Sequence, residues 1–296
     1  MHTRNPGRTV RRAFEEGEGD VTEAATRTVI GERSHRPSVS VVIPVRDDGD
    51  RLARCLAALA GQTRRPDEIV VVDNLSSDDT ARVAASAGAR VVPCRELGIP
   101  AASSTGYDAA TGDLLLRLDA DCLPSPEWVE RVLDAFADGP HVDAITGGAR
   151  FLDGPPSLRV PLAAVYLAAY AALTVPALGH VPLFGSNFAM TREAWRSVSA
   201  TVHRHDAEVH DDLDLAFHLG EHHTIRYRRG LSMGMSMRPF ESASSFAHRA
   251  ARGFHTVTVH WPRDFPPWRW LRRLVGAPAR GRRTSSVAAS DGRGPP

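Results

Sequence analysis

Short apolar runs alternate with helical patterns from residue 39 onward. Val39-Ser-Val-Val-Ile-Pro-Val45 reads as a buried strand stopped by Pro44. Asp50–Ala60 places Leu52, Leu56 and Leu59 at helical spacing, and Glu68-Ile-Val-Val-Val-Asp73 is a second, almost continuous apolar strand. Ser76 and Ser77 followed by Asp78-Asp79 predict a helix start with an acidic first turn, and Gly88 ends that helix. Ala89–Pro93 is a third strand, Pro100–Ala110 a helix, Asp113–Leu118 a fourth strand and Glu127–Ala137 a helix. Such alternation predicts an α/β fold, a mainly parallel sheet flanked by helices. Ligands of such sheets bind beyond the carboxyl ends of the strands. No Gly-x-Gly-x-x-Gly follows the first strand, which speaks against a dinucleotide fold.

The second half is less regular. Gly185-Ser-Asn-Phe-Ala-Met190 is a small polar loop entering an apolar element, and Asp211–Gly220 reads as a helix ended by Gly220, with Asp211 and Asp212 in its first turn. Met233, Met235 and Met237 alternate as on a strand with one apolar face; a lipid-acceptor surface is the sharper reading. His248, Arg249, Arg252 and His255 share a helical spacing that reads as a solvated basic face, or as a row turned toward diphosphate. Val160–Leu178 is uncharged and nearly long enough to span a bilayer. Pro161 and Pro176 bracket it and much of its apolarity is alanine, so a buried or interfacial helix is expected.

Composition narrows the chemistry. Hydrophobic residues make up 42% of the 296, enough for a core, and the net charge of +1 gives no argument for nucleic acid. Every basic residue is Arg, which excludes lysine Schiff-base chemistry and a P-loop lysine. Cys55, Cys94 and Cys122 form no disulfide framework and suit a reducing compartment. The polar segment 1–37 reads as a flexible leader, 38–268 as the folded domain divided near residue 150, and 269–296 as a basic disordered tail.

Leu118-Asp-Ala-Asp-Cys122 carries the most chemical information. Carboxylates at i and i+2 share one face of a strand, and at its exit Asp119 and Asp121 can converge on one hard cation, Mg²⁺ or Mn²⁺, completed by substrate phosphates. Cys122 beside them reads as a packing residue. Six of the thirteen histidines fall between His203 and His223, and one could complete the shell of that cation. A separate zinc site lacks a His-Glu-x-x-His motif or a Cys partner.

Taken together, Val41-Val-Ile-Pro-Val45, Val71–Thr80, Leu118–Cys122, Gly185-Ser-Asn187 and Asp211–Leu215 resemble family 2 glycosyltransferases of the GT-A fold, in order and spacing, from about Ser38 to Trp261. The resemblance implies a UDP- or GDP-linked sugar donor and direct displacement with inversion. It implies donor contacts from Pro44, Asp73 and Asp119, with Asp73 on the nucleotide base, a cation held by Asp121 and Asp119, and a general base at Asp212. Two departures stand out. Ser103 and Ser104 occupy the segment where the family often has Arg-Asn, so a phosphate contact must come from elsewhere, such as Arg238 or Arg249. Asp211-Asp212 replaces Glu-Asp, so Asp211 is the alternative base.

Two rival readings remain, a sugar-1-phosphate nucleotidylyltransferase and a non-catalytic nucleotide-sugar-binding module. Pro44–Gly49 lacks the Gly-rich phosphate loop of the first, and the intact carboxylate pairs oppose the second. The expected location is cytoplasmic. Trp268 and Trp270 beside Arg269, Arg272 and Arg273 suggest peripheral contact with the inner membrane face and a lipid-linked acceptor.

Overall fold

A computed structural model describes residues 36–138, 141–237 and 243–275. Eight strands form one sheet: β1 (Val39–Val45), β2 (Glu68–Asp73), β3 (Arg90–Pro93), β4 (Leu114–Arg117), β5 (Leu123–Pro124), β6 (Ala144–Phe151), β7 (Phe188–Thr191) and β8 (Ile225–Met235). Their order is β3-β2-β1-β4-β7-β6-β8-β5. The first four are parallel; β7 pairs antiparallel to both β4 and β6, and β8 is parallel to β6. The sheet therefore runs across the division near residue 150.

Nine helices accompany the strands among the described residues. They are α1 (Gly49–Ala60), α2 (Thr80–Ser86), α3 (Ile99–Ala109), α4 (Trp128–Ala137), α5 (Arg159–Leu178), α6 (Arg192–Val198), α7 (Asp211–His222), α8 (Ala243–Val259) and α9 (Pro266–Val275). Strand alternation builds two cores. Val39, Val41, Ile43 and Val45 face Leu52 and Leu56 of α1 and Trp128 of α4. Val42, Val70, Val72 and Leu115 face Tyr107 of α3, Trp195 of α6 and Phe217 of α7. A strand covered on both faces must be apolar at successive positions, which is why β2 and β4 read as continuous runs.

Four expectations need correction. Pro44 does not stop β1. It pairs with Val72 of β2, while β4 pairs only with Val39–Val42, so at Pro44 that side of the ladder is already open and the missing N–H costs nothing. Gly220 does not end α7, which continues to His222; a Cβ there would fall 1.8 Å from His180 Nε2, so glycine permits a close approach. Met233 and Met235 pack in the core instead of forming an exposed acceptor surface, although Met235 also lines a cavity at the carboxyl edge of the sheet. Finally, residues 269–275 are not a loose tail. They lie in α9, and the Arg269 guanidinium is buried, donating to the carbonyls of Leu178 and Phe217 (2.8 Å each) and to Asp264 (3.0 Å). The leader and residues 276–296 lie outside the described residues.

Helix α5 is, among the described residues, the one helix long and apolar enough to cross a membrane by length and composition. It is not a core helix. Only Ala163, Thr174, Ala177 and Leu178 are buried, while Val165 and Leu173 are 66% and 79% exposed. Its other side belongs to the domain: Tyr166 meets Phe184 edge to face, and the Tyr170 hydroxyl donates to the Leu183 carbonyl at 3.1 Å.

Candidate active site

Strands β1 and β4 end at one opening of about 320 Å³, as expected for the carboxyl edge of a parallel sheet. Pro44 and Arg46 line it from the end of β1, Asp119 and Asp121 from the loop after β4, Tyr166 from α5 and Arg249 from α8.

Asp119 is tightly held. Its Oδ2 accepts the Ser186 hydroxyl proton at 2.6 Å, and its Oδ1 lies 2.9 Å from Arg117 Nη1. The second Arg117 nitrogen, Nη2, lies 3.3 Å from Asp211 Oδ2, which also accepts from the Ser103 hydroxyl at 2.8 Å. Burial opposes the Arg117 charge, but Asp119 and Asp211 more than offset it and hold the guanidinium protonated. Asp212 Oδ2 accepts the Gly185 backbone N–H at 2.7 Å and Oδ1 that of Leu213 at 2.8 Å. Burial and the neighbouring Asp211 charge raise its pKa, against the pull of His210, Arg117 and the Gly185 N–H. A Cβ on Gly185 would stand 2.6 Å from Arg117 Nη1, so only glycine lets the backbone reach Asp212 there.

The donor set suits a hard cation. One ligand atom from each of Asp119, Asp121 and Cys122 lies within 4.8 Å of the others. Burial, then the charges of Asp119 and Asp121, push the Cys122 thiol well above its usual range, so it stays protonated and the carboxylate oxygens remain as ligands. Two carboxylates opening onto a polar cavity fit Mg²⁺ or Mn²⁺, with the remaining positions left to water and phosphate.

Other predicted residues fall in different places. Asp73 ends β2 beside Val45, but its Oδ1 accepts the Ser76 N–H at 3.1 Å and the neighbouring Asn74, not Asp73, lines the cavity. Asp212 lies against Gly185 and Asp211 against Ser103 and Arg117, and neither lines the cavity. Of the basic helical row, Arg249 reaches the cavity. Arg252 donates to the Val209 carbonyl at 2.6 Å and His255 pairs with Asp206 at 2.7 Å, so both brace the loop before α7. Arg238 lies outside the described residues. Asn187 is a staple: it accepts from Trp128 Nε1 (2.9 Å) and donates to the Gly148 and Leu231 carbonyls. Among the described residues no histidine joins the carboxylate pair as a ligand; three of them, His203, His218 and His260, gather around Asp214. Sequence reasoning missed Arg117 and Tyr166. The one available signal for Arg117 was a charge inside the apolar run Leu114–Leu118.

Comparison with known proteins decides the family. The profile described as "Glycosyl transferase family 2" matches residues 40–195, more than half of the chain. The chain belongs to this family. Among curated glycosyltransferases it is similar to AglE of Haloferax volcanii, 33% identical over 123 residues, 39% of this chain and 40% of the relative. It is also similar to an undecaprenyl-phosphate 4-deoxy-4-formamido-L-arabinose transferase of Klebsiella pneumoniae, 37% identical over 111 residues, 34% of each chain. The matched part thus spans two fifths or less of these relatives' length. Among solved structures, a mannosyltransferase from Pyrobaculum calidifontis in complex with GDP-Man and Mn²⁺ superposes with a TM-score of 0.58 at 19% identity, covering 79% of this chain and 68% of that one. The glucosyl-3-phosphoglycerate synthase of Mycobacterium tuberculosis in complex with Mn²⁺, UDP-glucose and phosphoglyceric acid gives 0.50 at 21%, covering 75% and 80%. At such identities the likeness carries the fold alone, and that fold is the GT-A arrangement.

Proposed function

We propose that this glycosyltransferase transfers a sugar from a nucleoside-diphosphate donor to an acceptor presented at a membrane face, with inversion and with Mg²⁺ or Mn²⁺ as cofactor. The observation that carries the donor half is the meeting of Asp119, Asp121, Arg46 and Arg249 around one cavity at the carboxyl edge of the sheet. The bound cation would neutralise the departing diphosphate as a Lewis acid. Asp121 and Asp119 hold it, with Asp119 fixed by Ser186 and Arg117 so that its charge cannot swing away. Arg249 supplies the phosphate contact that Ser103 and Ser104 cannot. Pro44 and the end of β2 at Asp73 flank the nucleotide. Asp212 takes the acceptor proton, and its raised pKa makes it a stronger base than an exposed carboxylate. Its Oδ2 accepts the Gly185 N–H, so the acceptor approaches it past Gly185. Curated relatives named for undecaprenyl-phosphate substrates, and solved neighbours bound to Mn²⁺ with GDP-Man or UDP-glucose, support the same substrate classes.

The acceptor half rests on α5 and α9. These helices pack together, with Trp270 Nε1 donating to the Pro176 carbonyl at 2.9 Å. Val160, Val165 and Leu173 of α5 and Trp268, Leu271, Leu274 and Val275 of α9 are exposed. Tyr166 on α5 lines the cavity, so one helix joins an apolar surface to the reaction site. Its contacts with the domain favour lying along the interface over spanning it. The basic residues contribute less than their sequence suggests: Arg269 is buried, Arg272 pairs with Asp264 at 2.6 Å, and Arg273 donates to the Gly220 carbonyl.

The test is an assay of nucleotide sugars with Mn²⁺, using polyprenyl phosphate in vesicles and short soluble alcohols as acceptors. Nucleoside diphosphate release with a glycosylated lipid of inverted anomeric configuration is the expected result. Retained configuration would overturn the displacement reading, and pyrophosphate turnover would favour a nucleotidylyltransferase.

A further inference from the structure

We propose a second metal site, for Zn²⁺, formed by His203, Asp214, His218 and His260. It is separate from the carboxylate pair at the cavity and serves to pin α7 and α8 together.

The four residues come from three segments: His203 from the loop after α6, Asp214 and His218 from one face of α7 at i and i+4, and His260 from the residue after α8. One ligand atom from each lies within 4.8 Å of the other three. From Asp214 Oδ1 the distances are 2.6 Å to His203 Nδ1, 3.0 Å to His260 Nε2 and 3.6 Å to His218 Nε2. A tetrahedral zinc with bonds of about 2.0–2.1 Å needs its ligands roughly 3.3 Å apart. The observed separations straddle that value.

Hydrogen bonding alone does not account for the cluster. His203 and His260 occupy Asp214 Oδ1, and the His203 backbone N–H takes Oδ2 at 2.9 Å. His218 Nε2 is buried and makes no hydrogen bond. Its other nitrogen fixes the tautomer. The Thr201 hydroxyl gives its proton to the Val198 carbonyl at 2.9 Å, so its oxygen must accept from His218 Nδ1, 3.2 Å away. In the neutral ring this leaves the lone pair on Nε2, aimed into a pocket already holding a carboxylate. A buried lone pair aimed at an anion is satisfied by a cation between them, either a proton on Nε2 or a bound metal ion, and metal content separates the two. Outer contacts of this kind, a hydroxyl on the far nitrogen of a ligating histidine, are the usual support of a metal shell. Phe217 completes it by stacking on the His260 ring, with centroids 4.1 Å apart and planes at 18°.

Three imidazoles and one carboxylate select Zn²⁺ over the Mg²⁺ or Mn²⁺ suited to oxygen ligands. All four positions are filled by protein, which makes the site structural. Its mechanical role follows from what it joins. Helix α7 begins with Asp211 and Asp212, and α8 carries Arg249 to the cavity.

The experiment uses the full chain carrying Asp121→Ala, so that the cavity carboxylates do not bind metal, and compares it with the same chain carrying His218→Ala or His260→Ala in addition. Zinc content after mild chelator dialysis should be about one per chain in the parent and near zero in the histidine variants. Cobalt added to the zinc-stripped parent should give the strong visible absorption of a tetrahedral centre. Zinc retention unchanged in both histidine variants would overturn the proposal, because the other histidines would then be responsible. No retained zinc and no tetrahedral cobalt spectrum in the parent would overturn it equally, leaving a hydrogen-bonded cluster. Should one histidine variant fail to fold, the other, read together with the cobalt spectrum of the parent, decides.

Discussion

Arg117 and Asp119 lie two residues apart where β4 leaves the sheet, and their side chains meet at 2.9 Å. The same guanidinium reaches Asp211 at 3.3 Å, so a single buried charge ties the metal-binding loop to the helix bearing the proposed base. Removing one partner of a buried ion pair leaves the others uncompensated, which typically costs about 3–5 kcal/mol. Arg117→Met should therefore destabilise the domain by that order and lower kcat, as measured by urea denaturation and steady-state assay. A fall in activity at unchanged stability would place Arg117 outside the scaffold and in contact with substrate.

Gly185→Ala tests the same junction from the backbone side. The added Cβ would stand 2.6 Å from Arg117 Nη1 and 3.1 Å from Asp212 Oδ2, and neither group is free to withdraw. Overpacking of this kind costs roughly 1–3 kcal/mol. The expected outcome is a lower Tm with kcat reduced more than donor affinity, read from calorimetry and kinetics on one preparation.

Asp121→Ala should nearly abolish Mn²⁺-dependent binding of nucleoside diphosphate and turnover while leaving the fold intact. The chain holds no Lys to substitute for the cation, and Asp119 is already engaged with Arg117 and Ser186. Isothermal titration with and without Mn²⁺ is the measurement. Full activity in excess chelator would end the metal assignment.

The pH profile distinguishes the two acidic residues of α7. A base must be ionised to work, so kcat should fall as pH drops through the Asp212 pKa, which burial and Asp211 raise above the usual carboxylate value of 3.8. Asp211→Asn removes the like charge and should move that acid limb to lower pH. Asp212→Asn should lower kcat by roughly 10²–10⁴-fold with donor affinity preserved. Loss in Asp211→Asn alone would transfer the base assignment to Asp211.

Membrane contact, if α5 and α9 provide it, is driven by apolar burial more than by charge. Arg269, Arg272 and Arg273 are engaged within the domain, whereas Leu173 and Leu274 are 79% and 80% exposed. Vesicle co-sedimentation should therefore depend weakly on salt and drop sharply in Leu173→Ser/Leu274→Ser. Strong salt dependence with no effect of the double variant would shift the contact to residues 276–296.

The sequence alone determined the strand–helix alternation from Val39 to Ala137, because strands buried on both faces must be apolar throughout and that pattern is local. It also determined that Asp119 and Asp121 follow a strand at its carboxyl end, while the turn that brings them together lies beyond β4 and is set by tertiary contacts. Periodicity states which face a residue occupies but not what faces it. Only the tertiary structure decided that Arg117 joins Asp119 to Asp211, that Gly220 makes room for His180, and that Arg269 is an interior residue. The same limit explains β6, whose Ala-Ile-Thr-Gly-Gly-Ala-Arg-Phe carries no clear strand pattern and forms because β7 and β8 flank it. His203 and His260 are far apart in the chain, and no spacing rule links them. They meet at Asp214 because the loop after α6 brings His203 to it while α8, packed on α7, brings His260.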